Sequence, residues 1–278
     1  MKVLLLSGFL GAGKTTFIKA MMEATHRPYV IFENEFSDVN IDADLFRSDV
    51  EEGADLNVYE LNDGCICCNR QGSFSSSLFV IQNTLDPDIL IVEPSGVAKL
   101  SALIDLVEQV EGEQIQLLEP LCLIDATAFF KQVDRYPEIY QDQLLAAHRI
   151  QLTKTEQLSE DEISAVCDKV LELNPNVSIF REHYRHADEA YWKNLFVRRG
   201  ASSSDQESIE TGEAAMAHYT YMNARARGLT DVMRFLNQVL LGMFGDICRV
   251  KGCFQLPNMK LRVDLVDQVY QLTAAGDA

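Results

Sequence analysis

The pattern that most constrains the fold is a glycine-rich octapeptide near the start of the chain, Gly8-Phe9-Leu10-Gly11-Ala12-Gly13-Lys14-Thr15. It lies between an apolar run, Lys2–Ser7, and a segment in which apolar residues recur with helical spacing. Gly-x-x-x-x-Gly-Lys-Thr is the P-loop pattern, whose glycines let backbone N–H groups wrap phosphates without a side-chain clash. A chance match would not also fall between a strand and an amphipathic helix. The octapeptide therefore predicts a nucleotide-binding protein of alternating strands and helices.

The parts of this loop have separate chemical tasks. The ammonium group of Lys14 suits the β- and γ-phosphates of a nucleoside triphosphate, and the Thr15 hydroxyl suits magnesium. The N-terminus of the following helix adds partial positive charge. We expect the nucleotide to contact the loop and the first helical turn, at Gly8, Gly11, Ala12, Gly13, Lys14, Thr15 and Thr16.

Short apolar runs alternate with helical patterns through about the first two-thirds of the chain. This alternation is typical of a parallel sheet with crossover helices. The predicted strands are Lys2–Ser7, Tyr29–Glu33, Asn57–Leu61, Asp88–Glu93, Leu118–Asp125, Arg149–Thr153 and Val177–Phe180. The predicted fold class is α/β: a P-loop NTPase with a mostly parallel sheet and flanking helices, plus a small C-terminal α+β domain.

A serine-rich stretch with few apolar residues, 200–213, predicts a linker. It separates a P-loop domain, 1–199, from a small α+β domain, 214–278. The elements predicted in the small domain are a strand at His218–Met222, a helix at Thr230–Leu241 and strands at Asp246–Phe254, Lys260–Asp264 and Val266–Leu272.

An acidic residue follows the buried strand pattern Ile89–Val92, where the chain continues Glu93-Pro94-Ser95-Gly96. At the carboxyl end of such a strand, α/β NTPases place the carboxylate that organises magnesium or water. Gly96 would let a backbone N–H reach the γ-phosphate, whereas a helix N-cap formed by Ser95 is the alternative. Together with the P-loop, the pattern predicts Lys14, Glu93 and Gly96 as catalytic, with Glu93 joining Thr15 as a magnesium ligand.

The strand pattern His148–Leu152 is followed by Thr153-Lys154-Thr155-Glu156. GTPases carry Asn-Lys-x-Asp or Thr-Lys-x-Asp at this position, where the acid accepts hydrogen bonds from guanine N1 and N2 and the lysine stem covers the base. Glutamate offers the same acceptor atoms with one more methylene. We therefore predict guanine binding by Thr153, Lys154 and Glu156, with a surface turn as the alternative.

Three cysteines lie within four residues, at Cys65, Cys67 and Cys68. Thiolates are soft ligands for zinc, cuprous copper or cobalt. Three protein ligands leave one position open in a tetrahedral site, as metal transfer requires. Water, Glu35, Asp38 or a client residue could fill it. A structural zinc completed by a fourth protein ligand and a thiol redox switch are the alternatives.

The charge of the chain bears on its partners. Acidic residues outnumber basic ones 42 to 24, giving a formal charge of −18. Such a field repels phosphate backbones and anionic lipid, so we expect no nucleic-acid or membrane partner; alternatively, the acidity serves only solubility. The clustered thiols suit a reducing compartment. The apolar run Met1–Leu6 is too short for a signal peptide, so we expect a cytoplasmic protein.

In motif order and spacing the whole chain resembles the CobW-like family of GTPases, relatives of the hydrogenase and urease nickel-insertion GTPases. The motifs that carry the resemblance are Gly8–Thr16, Glu33-Asn34-Glu35-Phe36, Asp38, Asp42, Asn62–Arg70, Glu93-x-x-Gly96, Thr153-Lys154 and Arg249-Val250-Lys251-Gly252. Glu156 stands where the family has Asp, and Pro94-Ser95 where Thr-Thr or Cys-Thr is commoner.

The resemblance implies a slow GTPase that holds a thiophilic metal, zinc or cobalt, at the C-x-C-C motif and delivers it to a client protein. Its cofactors would be GTP, magnesium and the carried metal, and its partners GTP or GDP and a metal-requiring client. The sequence leaves both a monomer and a homo-oligomer open. Glu35 and Asp38 would lie in a switch loop that links metal occupancy to nucleotide state. The competing hypotheses are an ATP-dependent kinase or ATPase with a structural zinc, and a non-catalytic metal or redox sensor.

Overall fold

The computed structural model describes residues 1–34, 57–60, 71–200, 219, 221, 223–266 and 269–275. The chain forms two compact units, Met1–Met216 and Ala217–Ala278. The strands of the first unit are β1 (Lys2–Gly8), β2 (Val30–Asn34), β3 (Asn57–Glu60), β4 (Ile89–Pro94), β5 (Gln116–Leu117), β6 (Leu121–Asp125), β7 (Arg149–Thr153) and β8 (Ser178–Phe180). Its helices are α1 (Lys14–Thr25), α2 (Gln71–Leu85), α3 (Leu100–Glu108), α4 (Phe129–Arg135), α5 (Pro137–Ala146), α6 (Glu160–Leu173) and α7 (Glu189–Asn194). Single 3₁₀ turns follow β7 and β8, at Thr155–Gln157 and Tyr184–His186.

One sheet organises the first unit, with the strand order β3-β2-β4-β1-β6-β7-β8. Every neighbouring pair in this order is parallel, and the short β5 also pairs with β1 in parallel. The chain builds β2 to β4 on one side of β1 and β6 to β8 on the other. Such a switch point opens a crevice beyond the carboxyl ends of the strands, where ligands bind in open α/β sheets. The predicted α/β class is confirmed.

The core lies on both faces of this sheet, because each crossover helix returns an apolar face to it. Val3–Leu6 of β1 are fully buried. On one face Phe17 and Met21 of α1 join the core around β1, and on the other Phe32 stacks on Phe74 of α2 with ring centroids 5.7 Å apart. The central strand is thereby held rigidly, and so is the loop that leaves it.

The predicted strand Leu118–Asp125 is wrong in its first three residues. The structure has β5 and β6 instead, separated by Leu118, Glu119 and Pro120. Pro120 has no N–H to donate to a sheet. Its carbonyl accepts hydrogen bonds from His148 N and Arg149 N, at 3.1 and 3.2 Å, where β7 begins.

Helix α6 begins with a capping box. The Ser159 side chain accepts a hydrogen bond from Glu162 N, and the Glu162 carboxylate accepts one from Ser159 N at 2.8 Å. The apolar stripe behind the cap is buried and consists of Ile163, Val166, Cys167 and Val170. The helix ends before Asn174.

The second unit is a helix packed on an antiparallel sheet. Its elements are α8 (Leu229–Leu240), β9 (Arg249–Leu256), β10 (Met259–Val266) and β11 (Val269–Ala275), with the strand order β11-β10-β9. Val232, Leu236 and Val239 of α8 form a core with apolar residues of the sheet. The strand predicted at His218–Met222 is not found at Tyr219 and Tyr221, the two described residues of that range. Both tyrosine side chains are exposed, so no burial of their aromatic rings stabilises a strand at these residues.

The predicted linker lies, apart from Gly200, outside the described residues. In the part of the chain that is described, no helix is long and apolar enough to cross a membrane.

Candidate functional site

The P-loop connects the carboxyl end of β1 to the first turn of α1. Gly8, Gly11 and Gly13 have φ angles of 145°, 76° and 88°, which favour glycine. At Gly8 a Cβ atom would also lie 2.5 Å from the carbonyl oxygen of Leu123 in β6. Gly8 therefore lets the loop pack closely against β6, and the positive φ angles of Gly11 and Gly13 shape the rest of the loop.

Lys14 begins α1 and points back over the loop. Its Nζ donates a hydrogen bond to the carbonyl oxygen of Gly8 at 3.0 Å, and the residue is buried. Gly13, the N-cap, offers no side chain to the first backbone N–H groups of the helix. An ammonium group and a helix N-terminus thus meet at one loop, which suits a polyphosphate.

Thr15 and Glu93 meet beside the loop because β4 is a parallel neighbour of β1. The Thr15 Oγ1 and Glu93 Oε1 atoms are 3.5 Å apart. A hydroxyl and a carboxylate are hard oxygen donors, which magnesium prefers. The pair thus fits the magnesium role predicted for it.

Gly96 touches the P-loop directly. A Cβ atom there would lie 2.6 Å from Leu10 N and 2.9 Å from Leu10 Cα, both main-chain atoms of the loop. No side chain fits this gap without moving the backbone. The segment after β4 therefore packs against the loop main chain, as a sensor of phosphate would have to do.

Gln143 of α5 holds that segment in place, and the sequence analysis missed it. Its Nε2 donates to the carbonyl oxygens of Gly96 and Ala98, both at 3.1 Å, and the residue is buried. Next to it, the Asp142 carboxylate accepts hydrogen bonds from the main-chain N and the hydroxyl of Ser101, at the start of α3. The sequence contained one indication that Gln143 is buried. It follows Ile139 by four residues and so lies on the same, buried side of the helix.

Two aromatic rings support the P-loop from outside the sheet. Phe9 packs on Tyr136 and Tyr140, with ring centroids 4.9 and 5.3 Å apart. Phe9 is buried although it occupies a variable position of the P-loop pattern. The loop and α5 are therefore parts of one packed cluster, which the sequence analysis also missed.

The base-reading segment predicted at Thr153–Glu156 lies at the carboxyl end of β7. Thr153 Oγ1 donates to the carbonyl oxygens of Ala12, at 2.9 Å, and Ile124, at 3.1 Å. This buried hydroxyl ties β7 to both the P-loop and β6. The P-loop and the segment Thr153–Glu156 therefore lie at the same edge of the sheet.

The charged side chains of this segment pair with residues far along the chain. Lys154 Nζ lies 2.6 Å from Asp125 Oδ2 at the end of β6, and Glu156 Oε1 lies 2.8 Å from His183 Nε2 after β8. Asp125 was not predicted from the sequence, although it ends the buried strand β6. His183 stood out only beside His186, and nothing in the sequence connected it with Glu156.

The predicted metal ligands Cys65, Cys67 and Cys68 lie outside the described residues, as do Glu35 and Asp38. Among the residues that are described, no group of three or more His, Cys, Asp or Glu could hold a metal ion. Burial raises the pKa of the Cys122 thiol to about 12, and it also raises that of Cys167. These two buried thiols are therefore unsuited to binding metal as thiolates.

Comparison with known proteins agrees with this geometry. The family model of the CobW/HypB/UreG nucleotide-binding domain matches residues 2–181. Zinc chaperone YjiA of Escherichia coli K12 is 32% identical over 168 residues, 58% of this chain and 51% of that protein. Zinc chaperone CobW of a Sinorhizobium species is 28% identical over 190 residues, 59% of this chain and 54% of that protein.

The chain spans about half the length of these curated relatives. Among solved structures, Zn(II)-bound YjiA GTPase from E. coli superposes with a TM-score of 0.51 at 20% identity. The match covers 99% of this chain and 89% of that one, which shows that the two share a fold.

Proposed function

Because the chain belongs to the CobW/HypB/UreG family of nucleotide-binding proteins, we propose that it is a GTPase whose nucleotide state controls the binding and delivery of a thiophilic metal. One observation carries the nucleotide part: the predicted site residues lie at the carboxyl ends of β1, β4 and β7, three strands of one parallel sheet. These residues are Lys14, Glu93, Gly96 and Thr153–Glu156. That edge can hold a triphosphate at one end and a base at the other.

At the phosphate end, this chain supplies preorganised positive charge. The Lys14 ammonium and the N–H groups of the loop would stabilise the charge that develops on the transferring phosphoryl group. The gap at Gly96 lets main chain of that segment lie beside the loop, so it would respond to a γ-phosphate. Thr15 and Glu93 would hold magnesium, which neutralises phosphate charge when bound.

At the base end, Thr153 fixes the segment and Lys154 and Glu156 would contact the base. Lys154 has φ 58° and is paired with Asp125, which places its side chain across the end of β6. The Glu156 carboxylate offers acceptors for the N1–H and N2–H groups of guanine, and adenine lacks both donors. This difference favours GTP over ATP.

For the metal, we propose that Cys65, Cys67 and Cys68 hold zinc or cobalt with one position open for a client. The similarity to zinc chaperones YjiA and CobW supports a zinc cargo. The cysteine segment follows β3, which ends at Glu60 on the same sheet edge as β2 and β4. Glu35 follows β2 directly, so Glu35 and Asp38 are the candidates that would link the cargo to the nucleotide.

A competition experiment between GTP and ATP tests the proposed GTPase function. The protein is first loaded with magnesium and a fluorescent GTP analogue. The concentration of GTP that displaces this analogue should be at least about tenfold lower than the concentration of ATP that does so. The protein should also turn GTP over. Equal displacement by ATP would favour the ATP-dependent hypothesis, and the lack of turnover with any metal would favour the sensor.

A further inference from the structure

Glu156 differs from the aspartate common in GTPases by one methylene, and this adds a rotatable bond. A longer side chain loses more conformational entropy when a ligand orders it. A glutamate therefore binds guanine more tightly when its carboxylate is already held in place. The structure contains such a restraint.

We propose that His183 is a positioning residue that orients the Glu156 carboxylate for guanine; this rests on the proposed GTPase function. His183 Nε2 lies 2.8 Å from Glu156 Oε1. On the other side of the ring, His183 Nδ1 accepts a hydrogen bond from Arg185 N at 3.2 Å. An accepting Nδ1 carries no proton, so in this geometry the Nε2–H of His183 donates to Glu156.

The imidazole ring is itself anchored to the nucleotide-binding core. It stacks on Tyr184 with ring centroids 4.4 Å apart, and the His183 side chain is 12% exposed. Tyr184 is buried and packs edge-on against Phe17 of α1, with centroids 5.0 Å apart. His183 therefore connects Glu156 to the helix that follows the P-loop.

The topology explains why these two residues meet. β7 and β8 are neighbouring parallel strands, so the turns that follow them emerge at the same edge. Glu156 lies in the turn after β7, and His183 precedes the turn after β8. This edge is the base end of the nucleotide cleft.

The bond to His183 is compatible with guanine binding. A carboxylate has about four lone-pair positions. His183 uses one of them, which leaves acceptors for guanine N1–H and N2–H. A carboxylate fixed in this orientation would face the N1 lone pair of adenine, so the same restraint rejects ATP.

His183→Phe provides the test, because phenylalanine keeps the ring on Tyr184 and removes the N–H donor. We expect the KM for GTP to rise about three- to tenfold, with kcat and the KM for ATP nearly unchanged. His183→Gln, whose amide can donate, should recover part of the GTP preference. His186→Phe is the matched control and should behave as wild type.

A second measurement separates positioning from a general loss of structure. In a Glu156→Ala background, His183→Phe should leave the ratio of the KM values for ATP and GTP unchanged. If His183→Phe alone leaves that ratio at the wild-type value while wild type prefers GTP, the role of His183 is wrong and the GTPase function stands. A wild-type ratio near one would overturn the proposed base reading itself. Should His183→Phe not fold, a His183→Gln variant without any GTP preference would overturn the proposal.

Discussion

The two ends of the nucleotide cleft are built in different ways. At the phosphate end, the contacts are made by main chain and by buried residues such as Lys14, which is 8% exposed. At the base end, they are made by side chains that reach into solvent: Lys154 is 49% and Glu156 56% exposed at the side chain. Phosphate is a common feature of all nucleotides, whereas the base distinguishes them. We therefore expect the phosphate end to determine affinity and catalysis, and the base end to determine selectivity.

The partners of the two ends differ in the same way. Lys14 bonds to Gly8, six residues away in its own loop. Lys154 and Glu156 pair with Asp125 and His183, on other strands' ends. Substitutions at the phosphate end should consequently cost turnover, and substitutions at the base end should change selectivity alone.

The largest effect is expected for Lys14→Ala. Removing the ammonium from the phosphate site should lower kcat by about 10²–10³-fold, as loss of a charge-stabilising donor does in other enzymes. Triphosphate binding should weaken, and the circular dichroism spectrum should stay the same. Wild-type turnover in a folded variant would contradict the assignment of the phosphate site.

Gly96→Ala should rank second. Its new Cβ would lie 2.6 Å from Leu10 N, so the segment after β4 or the P-loop must move. We expect turnover to fall about tenfold and the free energy of unfolding to fall by about 1–3 kcal/mol, as for other overpacked sites. The control is Gly112→Ala, since a Cβ there meets no atom within 4 Å. Equal thermal stability and turnover in the two variants would show that Gly96 does not contact the loop as described.

Gln143→Leu tests the hydrogen bonds that hold the segment after β4. Leucine keeps the approximate volume but leaves the carbonyls of Gly96 and Ala98 without their amide donor. Unfolding experiments should show a loss of about 1–3 kcal/mol, together with a modest fall in GTP turnover. Gln141→Leu, on the exposed side of the same helix, should change neither.

Glu156→Asp should have the smallest effect. The shorter carboxylate matches the motif of other GTPases, so guanine preference should be kept or sharpened, with kcat within about threefold of wild type. Displacement of a bound GTP analogue by GTP and by ATP measures this preference. If ATP displaces the analogue as well as GTP does from both wild type and variant, this segment does not read the base.

The difference between the two ends also explains what the sequence could predict. The P-loop is contiguous, and its chemistry depends on neighbouring residues, so Gly8 to Thr16 could be recognised directly. Glu93 and Thr153 end buried strands, and a parallel sheet brings such ends together. The α/β class followed from the same alternation of strands and helices.

Contacts between distant segments could not be predicted in this way. Gln143 lies 47 residues from Gly96, and a glutamine on a helix has no pattern that names its partner. His183 stood out only as one of two histidines three residues apart. Its contact with Glu156 depends on the register of β7 and β8 and on the exact length of the turns that follow them. In the same way, the sequence shows Pro120, but it did not predict that the strand around this residue would be interrupted.

The central claim is that the nucleotide bound in this cleft controls a thiolate-bound metal. Zinc titrations of the reduced protein with magnesium, once with GDP and once with a non-hydrolysable GTP analogue, test it most directly. We predict about 5–150-fold tighter zinc binding with the GTP analogue, and by linkage an equal effect of zinc on the affinity for that analogue. Replacing Cys65, Cys67 and Cys68 with serine should abolish zinc binding and spare nucleotide binding, whereas Cys253→Ser, at an exposed thiol of β9, should change neither. Identical zinc dissociation constants in the two nucleotide states would show that the nucleotide does not control the metal.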